Sequence, residues 1–438
     1  FFLAGKKAYE VERSLRFNDG DSANLTRTSS STSTTFTYSA WIKRCTFTGY
    51  QYIFSLGSRG FSFHANNNTF YLYDGSALNE STAIFRDPSA WYHIVVQINS
   101  GVATSYVNNV LVHNAVGSGF TFTTGSNETR IGVYASGDYY FDGYQAEINL
   151  VDGSVVAPSS FAETDAITGQ WNPKKYVGSY GTNGFYLNFS DNSGTTATTL
   201  GKDSSGNGNN YTPNNFSVST GIGNDSVTDT PTNNFCTLNS LDMSGNALEQ
   251  ANLQGGTAGT SGWRHTRSTI ALPSTGKWYW EFKVPDASAD GSNGYIMGIA
   301  YSNLSFTQDI NSDSTGLYGR QTDSKYNNSS SSPVTNSAFT SISNNDILQF
   351  AYDADGQKLY TGRNNTWEQS ANPSAGSNPN WTSVASGGFP MVGSYGSNRY
   401  VAVNFGQQGF VYTPPTGYKS LCSANLPDPT ILLPNKHF

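Results

Sequence analysis

Four groups of aromatic and polar side chains are the parts of this sequence best suited to chemistry, and that chemistry is sugar binding. The apolar face of a pyranose packs on an aromatic ring, while amide, carboxylate and guanidinium groups hydrogen-bond with its hydroxyls. The chain contains 27 Tyr, so its composition alone also predicts tyrosines at many surface positions. The candidate binding residues are Tyr318 with Arg320 and Tyr326, Trp381 among Asn and Ser, Tyr395 with Arg399 and Tyr400, and Tyr139 with Tyr140.

A short acidic loop is the candidate metal site. Asn18-Asp19-Gly20-Asp21 supplies two carboxylates and one amide, which are hard oxygen ligands of the kind that Ca²⁺ binds. Asp142 is the candidate third carboxylate, from another loop. A solvated turn explains the same residues, so we expect no required cofactor and keep Ca²⁺ as an alternative.

The sequence nominates no catalytic residue. Glu163-Thr-Asp165 begins the Glu-x-Asp-x-x-Glu phrase that places two carboxylates on one strand face in laminarinase-like enzymes, but Thr168 replaces the second Glu. The five histidines lack metal-ligand spacing, and no Gly-x-Ser-x-Gly elbow is present. His93 lies in an apolar strand and is interpreted as a packed residue. We therefore predict that the protein is not an enzyme.

The composition is typical of an extracellular all-β protein. Charged residues make up 13% of the 438 residues, about half the usual ~25%, while aromatic residues reach 14%. Because the net charge is −7 and no Lys/Arg-rich run exists, nucleic acid is not an expected partner. No stretch approaches the ~20 apolar residues of a membrane helix, so membrane insertion is not expected. The three distant cysteines fit neither a disulfide framework nor a zinc site.

Alternating hydrophobicity predicts the elements that position these residues. In Gly276–Val284, the side chains of Trp278, Trp280, Phe282 and Val284 share one face, as in a half-buried antiparallel strand. Similar strands recur in both halves without helical periodicity. The predicted fold is all-β, with two antiparallel β-sandwiches in tandem. The predicted divisions are a lead-in at 1–12, sandwiches at 13–217 and 235–421, a linker at 218–234, and the start of a linker to further domains at 422–438.

The first half carries an ordered set of motifs, followed by the phrase Asp203-Ser-Ser-Gly-Asn-Gly-Asn-Asn. The motifs are Leu15-x-Phe17, Ala40-Trp-Ile-Lys, Trp91-Tyr-His-Ile, Tyr106-Val-Asn-Asn-Val and Phe141-Asp-Gly-Tyr-x-Ala-Glu-Ile. Together they resemble a laminin-G-like (concanavalin A-type) jelly-roll domain. The hairpin turn Asn108-Asn109 departs from the Asn-Gly that this family often has. The resemblance implies a calcium site at the rim of the sandwich.

The second half carries a different ordered set. It consists of Gly276-Lys-Trp-Tyr-Trp-Glu, Met297-Gly-Ile-Ala, Asp346-Ile-Leu-x-Phe, Gly362-Arg-Asn-Asn-x-Trp, Phe389-Pro-Met-Val and Val403-Asn-Phe-Gly. This set resembles a SPRY (B30.2-like) sandwich over about 235–421, which implies a binding module. Arg363-Asn-Asn stands where that family usually has Lys-Asn-Gly.

The order of the two modules, followed by Ala424-Asn-Leu-Pro-Asp-Pro-Thr-Ile, resembles large virion-surface proteins of aquatic bacteriophages. The resemblance implies a non-enzymatic tail-fibre or appendage segment, exposed on the virion surface. The expected partners are other virion proteins and a host cell-surface glycan or protein. Slender β appendages usually assemble as symmetric oligomers, and we expect a homotrimer.

Three other functions remain open at this point. A capsid decoration protein would bind other virion proteins and no host ligand, through a continuous apolar patch. A polysaccharide-degrading enzyme on a concanavalin A-type fold would need a groove with two carboxylates ~5–9 Å apart. A secreted bacterial adhesin has the same composition as a phage adhesin.

Overall fold

A computed structural model describes residues 9–29, 31–121, 128–166, 168–245, 247–257, 262–285, 294–305, 314–329, 338–396 and 399–427. Within these ranges the structure contains β-strands and 3₁₀ turns and no α-helix. No helix in this part of the chain is long and apolar enough to cross a membrane. Residues 1–8 of the predicted lead-in and 428–438 of the predicted C-terminal linker lie outside the described residues. The 3₁₀ turns are Pro158–Ser160, Glu368–Ser370 and Ser423–Asn425.

The chain separates into two compact units, and the first contains the described residues up to 218 together with 225–234. Its strands are β1 Ser14–Phe17, β2 Asn24–Thr28, β3 Phe36–Arg44, β4 Gln51–Leu56, β5 Arg59–Phe63, β6 Thr69–Tyr73, β7 Leu78–Ile84, β8 Trp91–Asn99, β9 Val102–Val107, β10 Val110–Val116, β11 Glu128–Ile131, β12 Gly143–Asp152, β13 Ala162–Thr164, β14 Trp171–Pro173, β15 Phe185–Leu187, β16 Thr212–Asn214 and β17 Ser226–Val227.

Two antiparallel sheets form the sandwich of the first unit. One has the order β10-β9-β8-β3-β12-β1-β17, with β15 also paired to β12, and the other has the order β16-β2-β11-β4-β5-β6-β7. Their inward side chains share one core, in which Tyr38 of the first sheet stacks on Phe54 of the second at 4.7 Å. The strands β13 and β14 form a separate ribbon.

The second unit contains residues 219–224 and the described residues of 235–427. Its strands are β18 Leu238–Met243, β19 Ala247–Glu249, β20 Gln254–Thr257, β21 Trp263–Ser268, β22 Lys277–Lys283, β23 Tyr295–Ala300, β24 Leu317–Gln321, β25 Lys325–Asn327, β26 Ile347–Asp353, β27 Lys358–Arg363, β28 Thr366–Trp367, β29 Phe389–Tyr395 and β30 Arg399–Asn404.

These strands form a second antiparallel sandwich, so the predicted pair of β-sandwiches is confirmed. The sheets have the orders β18-β21-β29-β23-β24-β25 and β19-β20-β30-β22-β26-β27-β28. As the alternation predicts, Trp278, Trp280, Phe282 and Val284 all point into the shared core.

The opposite face of β22 differs from the prediction of a half-buried strand. Tyr279 and Glu281 are both fully buried there. The Glu281 carboxylate accepts hydrogen bonds from the backbone N–H groups of Val411 and Tyr412, both at 2.8 Å. The ring of Phe410 contacts Tyr279 at 4.8 Å. A later segment therefore covers the face that the alternation assigns to solvent.

Residues 225–234, called the strap below, lie within the segment predicted to be a linker. In the strap, Ser226 and Val227 pair with β1. Two buried ion pairs fasten it to the first unit, Arg16 with Asp225 at 2.7 Å and Lys43 with Asp229 at 2.8 Å. A two-residue strand and isolated charges leave no periodic pattern, so the sequence predicts a loop here.

Candidate functional site

Arg320, a predicted sugar-binding residue, is buried and already engaged by protein groups. Its guanidinium forms an ion pair with Glu368 at 3.2 Å and donates to the carbonyl oxygens of Thr340 and Thr322 at 2.7 and 3.0 Å. The ring of Phe339 lies 4.9 Å away. Loss of hydration on burial lowers the pKa of Arg320 to about 10, while the Glu368 charge opposes this shift. These contacts give Arg320 a structural role.

The neighbouring aromatic candidates are also removed from the surface. Tyr326 is fully buried, and its hydroxyl donates to Gln321. Trp381 is 2% exposed and donates from Nε1 to the Tyr326 carbonyl oxygen at 2.8 Å. Tyr318 is partly exposed, with its hydroxyl 3.3 Å from the Ser383 carbonyl oxygen. Of these three tyrosine and tryptophan rings, only Tyr318 retains a face that a ligand can reach.

The third predicted group, at β29 and β30, is divided between surface and interior. Tyr395 is 41% exposed and packs beside Trp263 at 5.7 Å. Arg399 is 3% exposed and lies over the ring of Tyr295 at 6.0 Å. Tyr400 is partly buried, and burial raises its pKa, with a further increase from Glu249. Because Arg399 is buried, this group lacks the exposed guanidinium that the sequence predicts.

Tyr139, predicted in the first unit, is an exposed ring within a larger group of tyrosines. It is half exposed and lies over Tyr52, with ring centroids 6.2 Å apart and planes at 29°. Tyr50 meets it edge to face at 5.3 Å. Its φ of +58° is one that a bulky residue rarely adopts. Tyr140 is partly buried, and its carbonyl oxygen accepts from Gln51 at 3.4 Å.

Six tyrosines form this group, which we call the tyrosine cluster. Tyr52 lies at its centre, 4.6 Å from Tyr134 and 6.0 Å from Tyr71. The contacts continue from Tyr50 to Tyr71 at 5.6 Å and from Tyr73 to Tyr134 at 6.3 Å. The inner rings are buried by the outer ones, and Tyr139 offers the most exposed face. The members are Tyr50, Tyr52, Tyr71, Tyr73, Tyr134 and Tyr139.

Strand alternation places the cluster on the outer face of the second sheet. In β6, Phe70 and Leu72 enter the core, so Tyr71 and Tyr73 face away from it. Gly60 of the neighbouring β5 leaves room for Tyr52, since a β-carbon there would lie 3.0 Å from the Tyr52 ring. A larger residue at position 60 would displace the central ring.

Polar side chains border the tyrosine cluster at one end. His64 contacts the Tyr50 ring at 5.0 Å, and its Nε2 lies 3.6 Å from the Glu80 carboxylate. Asn67 donates to the same carboxylate at 3.1 Å. Burial raises the pKa of Tyr71 to about 12, so its hydroxyl remains protonated at neutral pH. Neutral rings bordered by an amide and a carboxylate match the requirements of sugar binding.

The sequence identified one exposed member of the cluster and missed the others. Tyr139 stood out because it occurs in the pair Tyr139-Tyr140. The alternation of β6 could have identified two more members, because Tyr71 and Tyr73 alternate with the core residues Phe70 and Leu72 and therefore face the other side of the sheet. The remaining tyrosines come from separate strands and loops, and their convergence depends on the tertiary fold.

The candidate calcium ligands do not share one site. Asp19 and Asp21 are exposed, whereas Asp142 is 2% exposed. The backbone of Asp142 donates to Gln51 at 2.9 Å and accepts from Cys45 at 3.2 Å. No group of three or more His, Cys, Asp or Glu side chains in the described ranges could hold a metal ion.

A buried serine–histidine pair in the first unit resembles part of a catalytic triad, but its hydrogen bond has the opposite donor and acceptor. His93 is fully buried, and Ser39 Oγ lies 2.9 Å from its Nε2. The indole N–H of Trp171 donates to Nδ1 at 3.1 Å, so a neutral His93 carries its proton on Nε2. Burial lowers the pKa of His93 to about 3. His93 therefore donates to Ser39 and cannot act as its base.

Glu147 is the buried carboxyl group with the most unusual setting. It lies in an irregular part of β12 with a φ of +51° and is 6% exposed. The hydroxyls of Tyr9 and Tyr186 each donate to its carboxylate at 2.8 Å. Burial raises the pKa of Glu147, although both hydrogen bonds oppose this shift. Relative to the protonated carboxyl group, the Glu147 carboxylate is thus less favourable in the folded protein than in the unfolded chain.

This shift predicts how stability depends on pH. The folded state retains the Glu147 proton to a higher pH, so this group's contribution to stability decreases as pH rises above about 4.5, the ordinary value. Glu147→Gln should therefore be more stable than the natural protein at neutral pH, because the buried negative charge is removed. Denaturant unfolding across pH measures the difference. Exposed Glu163→Gln is the matched control, and a Glu147→Gln protein that is less stable at neutral pH contradicts the assignment.

Comparison with protein families finds a match within the first unit. Residues 17–159, about one third of the chain, match the concanavalin A-like lectin/glucanases superfamily. The resemblance of this region to a laminin-G-like domain is thereby supported. No curated protein matches the chain.

Several solved structures are similar to parts of the chain. The SPRY domain of human HERC1 matches at 15% identity over 38% of this chain and 96% of that domain, with a TM-score of 0.30. A Bacteroides ovatus protein assigned to carbohydrate binding matches at 16% identity, over 48% of this chain and 63% of its own, with a TM-score of 0.35. Domain 4 of the Geobacillus stearothermophilus arabinanase AbnA, in complex with arabinotriose, matches at 18% identity over 29% and 64%, with a TM-score of 0.24. Similarities at this level carry no conclusion about ligand or activity.

Proposed function

We propose that this chain is a non-catalytic adhesion segment of a bacteriophage tail fibre or appendage, and that its tyrosine cluster binds a host surface glycan. The observation that carries the proposal is the half-exposed ring of Tyr139 on a continuous aromatic surface. The sequence motifs that resemble virion-surface proteins support the phage assignment. The match to the concanavalin A-like lectin/glucanases superfamily over residues 17–159 supports a carbohydrate ligand for this unit.

The geometry suggests how a sugar would be held. The apolar face of the ring would pack on Tyr139, and its hydroxyls would reach the polar border formed by His64, Asn67 and Glu80. Tyr50 contacts Tyr139 edge to face, and Tyr71 in turn contacts Tyr50 edge to face. A platform that exists before the ligand arrives loses little entropy on binding.

Tyr139→Ala should weaken binding of the chain to intact host cells by up to about tenfold, because a ring contact of this kind contributes about 0.5–1.5 kcal/mol. Tyr139→Phe should retain most of the affinity, since it keeps the ring. Val177→Ala removes an exposed apolar side chain of the same unit that is not a member of the tyrosine cluster, and it serves as the matched control. Binding is measured as saturable, host-polysaccharide-sensitive attachment of the labelled chain.

A capsid decoration role is the second candidate, because apolar side chains are exposed on two edge strands. Leu78 and Ile84 on β7 are 48% and 60% exposed, and Val110 and Leu111 on β10 are 65% and 49% exposed. These two strands contact each other. If the folded chain binds purified virions but no host cell, and Tyr139→Ala changes neither result, the adhesion proposal fails in favour of this one.

A further inference from the structure

A cavity of about 170 Å³ opens on the second unit. Each of the described residues that line it carries a side-chain hydrogen-bonding group. No member of the tyrosine cluster contributes to it, because that cluster lies in the first unit. The lining residues are Thr340, Arg363, Asn364, Thr366 and Glu368.

One wall of the cavity is a rigid turn between β27 and β28. Asn364 and Asn365 have φ values of +48° and +67°, which Asn tolerates better than most residues. The Asn364 side chain accepts from the backbone N–H of Ile347 at 2.9 Å and donates to Asp346 at 2.6 Å. This turn is the Arg363-Asn-Asn sequence that departs from the usual SPRY pattern.

The charges around the cavity are paired and sum to zero. Arg363 donates to the Ser341 carbonyl oxygen at 2.9 Å and to Asp346 at 3.1 Å. Glu368 is 8% exposed and forms an ion pair with the buried Arg320 at 3.2 Å. Two cations therefore face two anions, and the site has no net attraction for an ionic ligand.

Hydrogen-bonding capacity remains at the open side of the cavity. The Arg363 side chain is 27% exposed, and its hydrogen bonds to Ser341 and Asp346 both use one terminal nitrogen, Nη1. Thr366 is exposed and offers a hydroxyl that can both donate and accept. Thr340 already donates from its hydroxyl to Glu368 at 3.2 Å. The lining thus offers donors and acceptors side by side.

We propose that this cavity binds one ring of a neutral, hydroxyl-rich sugar. Each sugar hydroxyl both donates and accepts, so it can bridge the guanidinium of Arg363 and the hydroxyl of Thr366. The volume is smaller than the ~300–1,000 Å³ typical of pockets for drug-sized ligands and suits a single ring. The paired charges disfavour an acidic sugar, and the lining combines polar and apolar surface, which suits a ring that carries both hydroxyl groups and C–H groups. This site does not depend on binding at the tyrosine cluster.

Ligand-observed NMR of the intact chain with methyl glucoside, methyl galactoside and methyl mannoside tests the proposal. At least one should bind, and Thr366→Val and Arg363→Lys should each weaken that binding by about tenfold, the loss expected for one or two hydrogen bonds. Thr382→Val, at an exposed threonine that does not line the cavity, is the matched control. Tyr139→Ala, which alters the site proposed in the first unit, separates the two sites, because sugar binding that remains in this variant belongs to the cavity.

Three results from the ligands and the cavity variants would overturn the proposal, and a fourth would come from Tyr139→Ala. The first is that none of the three glycosides binds at about 10 mM. The second is that glucuronate binds more tightly than methyl glucoside. The third is that Thr366→Val and Thr382→Val lose the same amount of affinity for the glycoside. If Tyr139→Ala alone abolishes sugar binding, the cavity proposal fails while the adhesion proposal stands. If sugar binding survives Tyr139→Ala and falls in Thr366→Val, the cavity proposal stands independently.

Discussion

Replacing Asp229 with alanine is expected to destabilise the first unit by about 3–5 kcal/mol, because the change removes the carboxylate that neutralises the buried charge of Lys43 and keeps the neutral Asn234 Oδ1 at 2.8 Å. Both side chains of this pair are fully buried, and their charged atoms are 2.8 Å apart. Asp229 also accepts from the indole N–H of Trp91 at 3.3 Å, and this bond is lost as well. Denaturant unfolding gives the free energy, and hydrogen exchange in β3, which carries Lys43, locates the effect in this unit.

Two further variants make this expectation specific to the ion pair. Glu163→Ala removes an exposed carboxylate from the same unit and should change stability by no more than about 0.5 kcal/mol. The double variant Lys43→Met with Asp229→Ala should recover much of the loss, because it leaves no unpaired charge in the interior. An Asp229→Ala protein as stable as Glu163→Ala would mean that water reaches Lys43.

Truncating Trp280 to alanine should destabilise the second unit by about 3–5 kcal/mol, the usual result of removing a large aromatic side chain from a core. Trp280 is fully buried and stacks on Phe350 with ring centroids 5.8 Å apart. Trp280→Ala removes both the buried area and this ring contact. Denaturant unfolding, with hydrogen exchange followed in β22, measures the loss.

A matched pair of phenylalanine variants tests the contribution of the indole N–H groups. Trp278 donates to the Thr275 carbonyl oxygen at 3.1 Å, whereas the indole N–H of Trp280 is buried without a hydrogen-bond partner. Trp278→Phe therefore loses a hydrogen bond, while Trp280→Phe removes an unsatisfied donor. We expect Trp278→Phe to be the more destabilising by about 1 kcal/mol, and the reverse order would contradict the role assigned to these groups.

Local pattern predicts the fold class of this protein and its longer strands, but not a two-residue strand such as β17 in the strap. The alternation in Gly276–Val284 assigns four side chains to the core correctly, because every second residue of a strand faces the same side. The burial of Glu281 could not be predicted in this way. It depends on the backbone of Val411 and Tyr412, which lie far along the chain from β22.

The candidate site was predicted less completely than the fold. Aromatic residues next to arginine in the sequence suggested surface platforms, but Arg320 is buried with Glu368 and Trp381 packs in the core. Composition cannot distinguish a tyrosine that is exposed from one that fills a core. The tyrosine cluster combines β4, β6 and a later loop, so only the folded chain brings Tyr52, Tyr71 and Tyr139 together.

The way the chain divides between its two units has a consequence for genetic exchange. The second unit takes residues 219–224, the first takes the strap, and the second resumes at residue 235. A single recombination breakpoint anywhere from 219 to 234 therefore separates at least one unit from residues that belong to it. A breakpoint just after 234 keeps the strap with its ion pairs but leaves behind Asn224, whose carbonyl oxygen accepts from Gln408 at 3.0 Å. Inheritance of the two modules as one block is the arrangement that preserves both.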